Sequence, residues 1–539
     1  MHGAMSAPAT PDPRAEADFL DLPSMLAEAA ARHPAAPAVI DGERCFSHAE
    51  LNTQVDRTAT ALQREGLGAG DVVAIIAAPC AEYVFAFFGA LRAGLAVAPL
   101  APSSTPAQLM QMLADCEARV LFADGAAFDA LAGEPLPTAL AARPPRRVHL
   151  GDGNAGAPSF GEWLAAPLAR PAPVRIEPAW PFNLIYSSGT TGTPKGIVQS
   201  HAMRWAHIRR GAAAGYGPGS VTLVATPLYS NTTLVSLIPS LAWGGAVVLM
   251  RKFDAAEYLR LAERHGATHT MLVPVQYRRL LAHADFDRTD LSSFVAKFCT
   301  SAPFHAELKA EVLRRWPGGL TEYYGLTEGG GTCILQCHLH PTKLHTVGPP
   351  AEGHDIRLID AEGRELPPEA VRQGVAGEIV GRSPGMMTGY HGQPAKTAET
   401  EWFDAQGQRY IRHGDIGRFD DDGFVVLTDR AKDMIISGGF NLYPSDLEAV
   451  LRQHPAVADV AVIGVPSSEW GETPVACVVL REGGSGGTSA GADAEALRAW
   501  ANARLGKTQR LAAVKLMSEL PRSAIGKVLK RELRERFGK

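Results

Sequence analysis

Val72-Val73-Ala74-Ile75-Ile76 is a short, wholly apolar run, the composition of a strand buried on both faces. A helical pattern follows from about Ala81 to Ala93, and Leu95-Ala96-Val97-Ala98 is extended again. In this rhythm the second strand is reached only by a helical crossover, so the two strands run parallel in a helix-covered sheet. Similar extended runs return at Val221–Thr226, Ala246–Met250 and Thr270–Val273, which makes the large N-terminal part α/β. Upstream, Ser47-His48-Ala49-Glu50 has the spacing of a capping box, in which hydroxyl and carboxylate satisfy free amides at a helix start.

The last hundred residues read differently. Ser445-Asp446-Leu447-Glu448 also has capping-box spacing, before a short helix that His454-Pro455 ends. Val460–Val465 and Val475–Leu480 are apolar strands, and the Gly/Ser-rich Gly483–Gly491 is an expected mobile loop. A helix from about Asp493 to Leu505 and a strand near Ala513–Met517 complete a small α+β domain. The fold class is thus α/β, with a large N-terminal domain of sheet-based lobes plus a β-rich part near residues 340–430, and a small mobile α+β C-terminal domain. The expected boundaries are a flexible tail over 1–20, the large domain over 21–430, a hinge at 431–432 and the small domain over 433–539.

Composition bounds the function classes. At about 150 residues per domain, 539 residues make three or four units. Apolar residues at 46% and charged residues at 20% exclude a disordered or collagen-like chain. A net charge of −5 argues against a nucleic-acid-coating protein, so any anionic ligand needs a local site. The seven cysteines are scattered and odd in number, which suits a reducing compartment better than a disulfide framework. Cys333 and Cys337, followed by His338 and His340, form the one tight group. A metal site is conceivable there, against the blander reading of a hairpin or loop carrying free thiols. Met1 to Leu20 has no apolar core, and no run approaches the roughly 18–20 residues of a membrane span. A soluble, cytoplasmic protein is expected.

Four segments carry the chemistry. Tyr186-Ser187-Ser188-Gly189-Thr190-Thr191-Gly192-Thr193-Pro194-Lys195-Gly196 leaves the apolar Phe182–Ile185 as a loop of hydroxyls, glycines and one lysine. Glycines let backbone amides approach an anion, hydroxyls donate hydrogen bonds and lysine adds a mobile charge, which suits a polyphosphate. Pro194 stands where a Walker loop requires glycine, so this is not one; a plain Ser/Gly connector is the alternative. In Glu322-Tyr323-Tyr324-Gly325-Leu326-Thr327-Glu328-Gly329-Gly330, a ring before glycine can stack on a base and a carboxylate can ligate phosphate-bound Mg²⁺, though a Gly-bounded Thr-Glu pair taken alone is more often a cap or turn.

The third is His413-Gly414-Asp415, with Asp429-Arg430-Ala431-Lys432-Asp433 beyond the turn signal Asp421-Asp422-Gly423. A hairpin centred there pairs residue 415 with about residue 428 and brings Asp415 and Arg430 to one end, as a site for sugar hydroxyls and phosphate or as a surface salt bridge. The fourth, Pro521-Arg522-Ser523-Ala524-Ile525-Gly526-Lys527, is by itself only a basic tail.

Taken together, in this order, the four segments resemble the core signatures of the adenylate-forming superfamily: acyl-CoA and aryl-CoA synthetases, peptide-synthetase adenylation domains and luciferase. The resemblance runs from about residue 25 to the C-terminus. It implies that Thr190, Thr191 and Lys195 bind phosphate, and that Tyr324, Gly325, Ser301 and Ala302 form the adenine pocket. It also implies that Thr327 contacts the α-phosphate and Glu328 holds Mg²⁺. Asp415 would bind the ribose hydroxyls with Arg430 nearby, Lys432 would be the hinge and Lys527 the catalytic lysine of the C-terminal domain. Gly438 and Gly439, within Ser437–Asn441, would admit a pantetheine arm once that domain rotates.

The expected reaction is AMP-forming acid–CoA ligation, with ATP, Mg²⁺ and coenzyme A as cofactors and co-substrate. Amino-acid-activating relatives carry an aspartate for the substrate amine. The corresponding Thr226–Thr233 has no acid, and an unpaired buried ammonium is costly, so an amino-acid substrate is disfavoured. Many acyl- and aryl-CoA synthetases have histidine at Ser230, which suggests a different or roomier acid pocket around Tyr229, Ser230 and Asn231. Leu234, Leu237 and Ile238 read as helix core. A fatty, aryl or alicyclic acid fits as the small-molecule partner, with no nucleic acid and no transmembrane segment, and a homodimer is allowed. No carrier domain is read after Lys539, which favours coenzyme A as acceptor. The alternatives are an acyl-AMP ligase loading a separate carrier protein, luciferase-like oxidation, or a non-catalytic nucleotide-binding homologue.

Overall fold

The computed structural model describes residues 12–151, 156–187, 194–430, 433–437, 440–467, 470–481, 493–505, 510–523 and 526–538. The chain divides into two compact units, one of Met1–Leu344, Ala351–Asp355 and Arg382–Glu401, the other of His345–Pro350, Ile356–Gly381 and Trp402–Lys539.

The first unit holds two sheets. The expected strand Val72–Ile76 forms, the expected run Leu95–Ala98 forms as Ala96–Pro99, and the two pair in parallel within a seven-stranded sheet ordered Gly389–Tyr390, Lys195–Ser200, Pro181–Ser187, Ala96–Pro99, Val72–Ile76, Val120–Ala123, Arg146–His149. All five residues of Val72–Ile76 are buried, as a strand covered on both faces must be. The crossover helix Ala81–Arg92 is buried nearly all round, and a Cβ on its Gly89 would sit 2.4 Å from Thr58 of the helix His48–Arg64. Glycine there sets how closely the two helices approach. Ser47 and Glu50 form the expected capping box, the Glu50 carboxylate accepting the Ser47 N–H at 2.8 Å.

The second sheet has eight strands, ordered Gly329–Gln336, Gly319–Leu326, Ala296–Cys299, His269–Leu272, Val221–Val224, Ala246–Leu249, Pro37–Asp41, Arg44–Ser47. Its interior is parallel and its two ends are antiparallel hairpins. Such ends close a parallel sheet without a further crossover.

Buried histidines make this unit acid-sensitive. Burial pushes His201, His269 and His354 down to about 4, so each stays neutral in the fold while it would protonate below about 6.5 in the unfolded chain. The unfolded state therefore binds more protons between those values, and stability present above 6.5 is lost as pH falls towards 4. Each group contributes about 1.4 kcal/mol per pH unit across that window. The thermal midpoint is expected to drop steadily from pH 6.5 to 4.5, and His269→Gln to make the slope shallower. An unchanged slope in that variant would contradict the assignment.

The second unit carries two five-stranded sheets. One is ordered Asp355–Ile359, Gly377–Arg382, Arg409–Phe419, Glu401–Phe403, with Val425–Arg430 also paired to Arg409–Phe419. The other is ordered Phe440–Leu442, Ile435–Ser437, Gly471–Leu480, Val457–Ser467, with Ala513–Met517 alongside Gly471–Leu480. Helices Pro444–Arg452 and Ala494–Asn502 contribute to the core of the latter.

The expected capping box at Ser445–Glu448 does not form. The helix starts at Pro444, whose missing N–H suits the first turn, and Tyr443 caps it without a side-chain bond. Glu448 turns inward instead, accepting the Val462 N–H at 2.9 Å and pairing with Lys530 at 2.9 Å. The Ser445 hydroxyl donates to the Thr428 carbonyl. Tertiary partners outcompete the local cap. The Gly483–Gly491 loop lies outside the described residues.

Candidate functional site

Strands Pro181–Ser187 and Lys195–Ser200 form an antiparallel hairpin in which Ser187 faces Lys195 and Tyr186 faces Gly196. Thr190 and Thr191, between the two strands in sequence, lie outside the described residues. The hairpin base is anchored by the Tyr186 hydroxyl, which donates to Asp115 Oδ2 at 2.6 Å. On the other side Lys195–Ser200 takes the short strand Gly389–Tyr390 as a neighbour, with Tyr390 opposite Ile197.

That pairing assembles three groups. The Lys195 ammonium sits 5.1 Å from the centroid of the Tyr390 ring, and the Tyr390 hydroxyl donates to Glu328 Oε1 at 2.9 Å. Glu328 is half-buried, and its second oxygen has no hydrogen-bond partner among the described residues. Burial, with the Glu328 carboxylate next in size, raises the Tyr390 phenol well above its ordinary value, which keeps it a donor. The Glu328 turn is held at both ends. Its carbonyl accepts the Met387 N–H at 2.8 Å, and the carbonyl of Thr327 accepts Gln199 Nε2 at 2.7 Å.

Gln199 is fully buried and faces Asn183 across the hairpin, where the Asn183 amide donates to Gln199 Oε1 at 3.1 Å. Arg204 Nε donates to Asn183 Oδ1 at 2.9 Å, and another nitrogen of its guanidinium donates to Gln199. This buried polar network ties the lysine-bearing hairpin to the Thr327–Glu328 turn. Motif reading missed Gln199, Asn183, Arg204 and Tyr390. The available signal was an amide side chain within each of the two strands flanking the Ser/Thr/Gly-rich segment.

The other expected residues of this unit fall into two groups. Tyr324 lies on strand Gly319–Leu326 opposite Cys333, and Gly325 falls at the bulge before Leu326. Ser301 is one of only two non-glycine residues with positive φ among the described residues, at 77°, and its hydroxyl meets that of Thr232 at 2.5 Å. That contact brings Ser301 and Ala302 beside the segment Tyr229–Asn231. Ser230 caps the helix Asn231–Ala242, and Asn231 Oδ1 is buried without a hydrogen-bond partner. Leu234, Leu237 and Ile238 are buried helix core, as expected.

In the second unit Asp415 is buried and stands opposite Arg430 in the strand register. The expected partner is about residue 428; the hairpin already pairs Gly417 with Leu427, one residue beyond that expectation, and a one-residue register shift between Ile416 and Gly417 adds the second. Lys527 ends a tight turn in which the Ser523 N–H donates to the Lys527 carbonyl at 2.8 Å and the Lys527 N–H to the Ser523 hydroxyl at 3.2 Å. Lys432, Gly438 and Gly439 lie outside the described residues.

Among the described residues no three His, Cys, Asp or Glu side chains gather as a metal site, so the conceivable site at Cys333, Cys337, His338 and His340 is not formed. Cys333 and Cys337 are buried in and after the strand Gly329–Gln336, and burial pushes both thiols up to about 12. His338 Nδ1 sits 3.1 Å from the Leu320 carbonyl. A divalent ion with a single protein carboxylate suits Mg²⁺, which takes its remaining ligands from phosphates and water. Glu328, with one oxygen oriented by Tyr390, fits that role. No described helix is long and apolar enough to cross a membrane.

Residues 26–391 match the AMP-binding enzyme family, and residues 446–527 match the AMP-binding enzyme C-terminal domain. A fatty acid–[acyl-carrier-protein] ligase, ScoC of Streptomyces coeruleorubidus, is 32% identical over 94% of this chain and 95% of its own. A feruloyl-CoA synthase of an Amycolatopsis species is 33% identical over 94% of this chain and 96% of its own. The solved amide bond synthetase McbA from Marinactinospora thermotolerans superposes with a TM-score of 0.80 at 28% identity, covering 96% of this chain and all of that one (100%).

Proposed function

This chain belongs to the AMP-binding enzyme family, and we propose that it is an AMP-forming acid–CoA ligase. A carboxylate oxygen of the acid bonds to the α-phosphorus of ATP as the bond to the bridging β-oxygen breaks, giving acyl-adenylate and pyrophosphate. The thiol of coenzyme A then attacks the acyl carbon, loses its proton and displaces AMP. The observation that carries the reading is the Lys195–Tyr390–Glu328 constellation, built onto the Thr327 turn by Gln199.

The chemistry calls for such groups. Two anions must meet, so the barrier is chiefly electrostatic, and no general base is needed because a carboxylate is already the nucleophile. Lys195 offers a cation to phosphate oxygens while Tyr390 fixes the Glu328 carboxylate. Mg²⁺ bound at Glu328 would neutralise phosphate charge. Asn231 brings a buried polar atom without a partner to the acid pocket proposed around Tyr229 and Ser230. Asp415 and Arg430 are assigned to the ribose and phosphate, Ser301, Ala302, Tyr324 and Gly325 to adenine, and Thr190 and Thr191 to the phosphates. Lys432 is assigned as hinge, and Gly438 and Gly439 to the pantetheine passage.

The direct test is pyrophosphate release across fatty, aryl and alicyclic acids, with and without coenzyme A, with products identified by mass. Thioester on one acid class is the expected result. Acyl-adenylate without thioester would shift the reading to a carrier-protein ligase, which the likeness to ScoC supports. No pyrophosphate with any acid, alongside intact ATP binding, would overturn it.

Tyr390→Phe separates the hydroxyl from the ring. A hydrogen bond to a charged group is worth about 1.5–3 kcal/mol, so turnover is expected to fall roughly 10-fold or more. The Mg²⁺ requirement should rise and the ring beneath Lys195 should remain. An unchanged Mg²⁺ titration would remove the hydroxyl from the site.

A further inference from the structure

Helix His201–Ala213 carries Arg204, His207 and Arg210, spaced three apart along its length. Elsewhere in this unit buried cations are matched. Arg92 meets Asp56 at 2.6 Å, Lys309 meets Glu322 at 2.5 Å, and Lys297 donates to the carbonyls of Trp316 at 3.2 Å and Gly318 at 2.7 Å. On this helix Arg204 is matched only in part, through Asn183 and Gln199. Among the described residues no carboxylate reaches Arg204, His207 or Arg210, nor His354 beside them. Arg210 forms no hydrogen bond or ion pair among the described residues. Arg204 Nη1 and His207 Nδ1 are buried with no hydrogen-bond partner.

Burial comes first in lowering the proton affinity of all four groups. Their charged neighbours are chiefly one another: Arg204, Arg210 and His354 act on His207, and Arg210 acts on His354. The Tyr323 hydroxyl is the one group that acts on Arg210 in the opposite sense. The two histidines are held neutral, so the positive charge here is that of Arg204 and Arg210. Desolvated positive charge without a counter-charge costs several kcal/mol, which implies an anion that arrives from outside, to which the neutral imidazoles can donate hydrogen bonds.

The cluster adjoins the proposed site. His207 Nε2 lies 3.7 Å from where a Cβ on Gly385 would stand, and the Gly385 carbonyl backs the turn residue Gly329. His354 Nδ1 accepts the Thr332 N–H at 2.9 Å, and Arg204 reaches the Thr327 carbonyl through Gln199. The Tyr323 ring stacks on Phe298 with centroids 5.7 Å apart. Stacked rings within electrostatic range of the Arg210 guanidinium suit an organic acid better than a polyphosphate, for which Lys195 and Glu328 are proposed.

We propose that Arg210, with His207 and His354, binds a second carboxylate of the acid substrate, so that the enzyme activates dicarboxylic acids. This rests on the acid–CoA ligase reading and adds the substrate class. The cluster does not suit the reacting carboxylate, because a guanidinium held against it would blunt the nucleophile. Held on the remote carboxylate, a bidentate fork orients the acid and leaves the other end free to attack.

The test pairs straight-chain and aromatic dicarboxylic acids with their mono-amides and with methyl-ended acids of equal length. Binding is read by calorimetry with a non-hydrolysable ATP analogue, and turnover by pyrophosphate release, on the full-length enzyme. The best diacid is expected to exceed its methyl-ended match by about 100-fold in wild type, the worth of hydrogen bonds to charge. Arg210→Met should bring that ratio near unity with affinity for the analogue unchanged, and Arg210→Lys should restore part of it. Preference for methyl-ended acids, a mono-amide bound as well as its diacid, or an unchanged ratio in Arg210→Met would each overturn the proposal. Diacid binding that depends on Arg210 but gives no pyrophosphate would uphold the second-carboxylate site and overturn the ligase reading on which activation rests.

Discussion

Lys527→Ala is expected to slow pyrophosphate release about 10²–10³-fold while ATP affinity stays within roughly threefold, the pattern of a group that stabilises developing charge rather than the bound substrate. The local structure favours a clean result. The turn that carries Lys527 is closed by backbone and hydroxyl bonds between Ser523 and Lys527, and by Arg522, which donates to the Gly526 carbonyl at 2.6 Å and pairs with Asp459. None of these bonds uses the lysine ammonium, so its truncation leaves them in place. Lys527→Arg should recover little, because a planar fork on a longer stem does not replace a compact charge. Single-turnover measurement of adenylate formation makes the comparison, and turnover within threefold of wild type would remove Lys527 from the chemistry.

The second large effect is expected at Gly329. Its φ is +82°, and a Cβ there would stand 2.0 Å from the Gly385 carbonyl oxygen, a distance that backbone cannot absorb. Gly329→Ala must displace either the Thr327–Glu328 turn or the segment that carries Met387 and Tyr390. Left-handed strain alone costs about 1–3 kcal/mol, and the clash adds to it. A fall of at least 100-fold in turnover is expected, together with a lower thermal midpoint. Gly423→Ala serves as control: its φ is +79° but a Cβ there meets nothing within 4 Å, so it should cost only the backbone term and leave turnover intact. Equal effects of the two substitutions would show that the packing against Gly385 is immaterial.

These two sites differ in how they could be found. Lys527 was legible as the lysine of a terminal signature, although alone it read as a solvated tail. Gly329 was legible only as the first of three consecutive glycines. What distinguishes it is the Gly385 carbonyl, more than fifty residues away in the chain. The same holds for Tyr390 and Gln199, which belong to no motif and act by reaching Glu328 and Thr327 across strand pairings. The misread cap at Ser445–Glu448 makes the converse point. Local spacing licensed a capping box, but Lys530 and the Val462 amide offered Glu448 a buried partnership that a surface cap could not match.

By itself the sequence determined the α/β character of the large part, through the wholly apolar strands at Val72–Ile76 and Ala96–Pro99 and the helix between them. It also determined the α+β character of the C-terminal hundred residues and the order of the chemical motifs. These depend on short-range periodicity and composition, which a chain carries before it folds. Only the tertiary structure decided that a register shift sets Asp415 opposite Arg430, that Tyr390 joins Lys195 to Glu328, and that Arg204 and Arg210 lie within reach of no carboxylate among the described residues. Hydrogen bonds, ion pairs and desolvation depend on distances between residues remote in the chain, and those distances exist only once the sheets have closed.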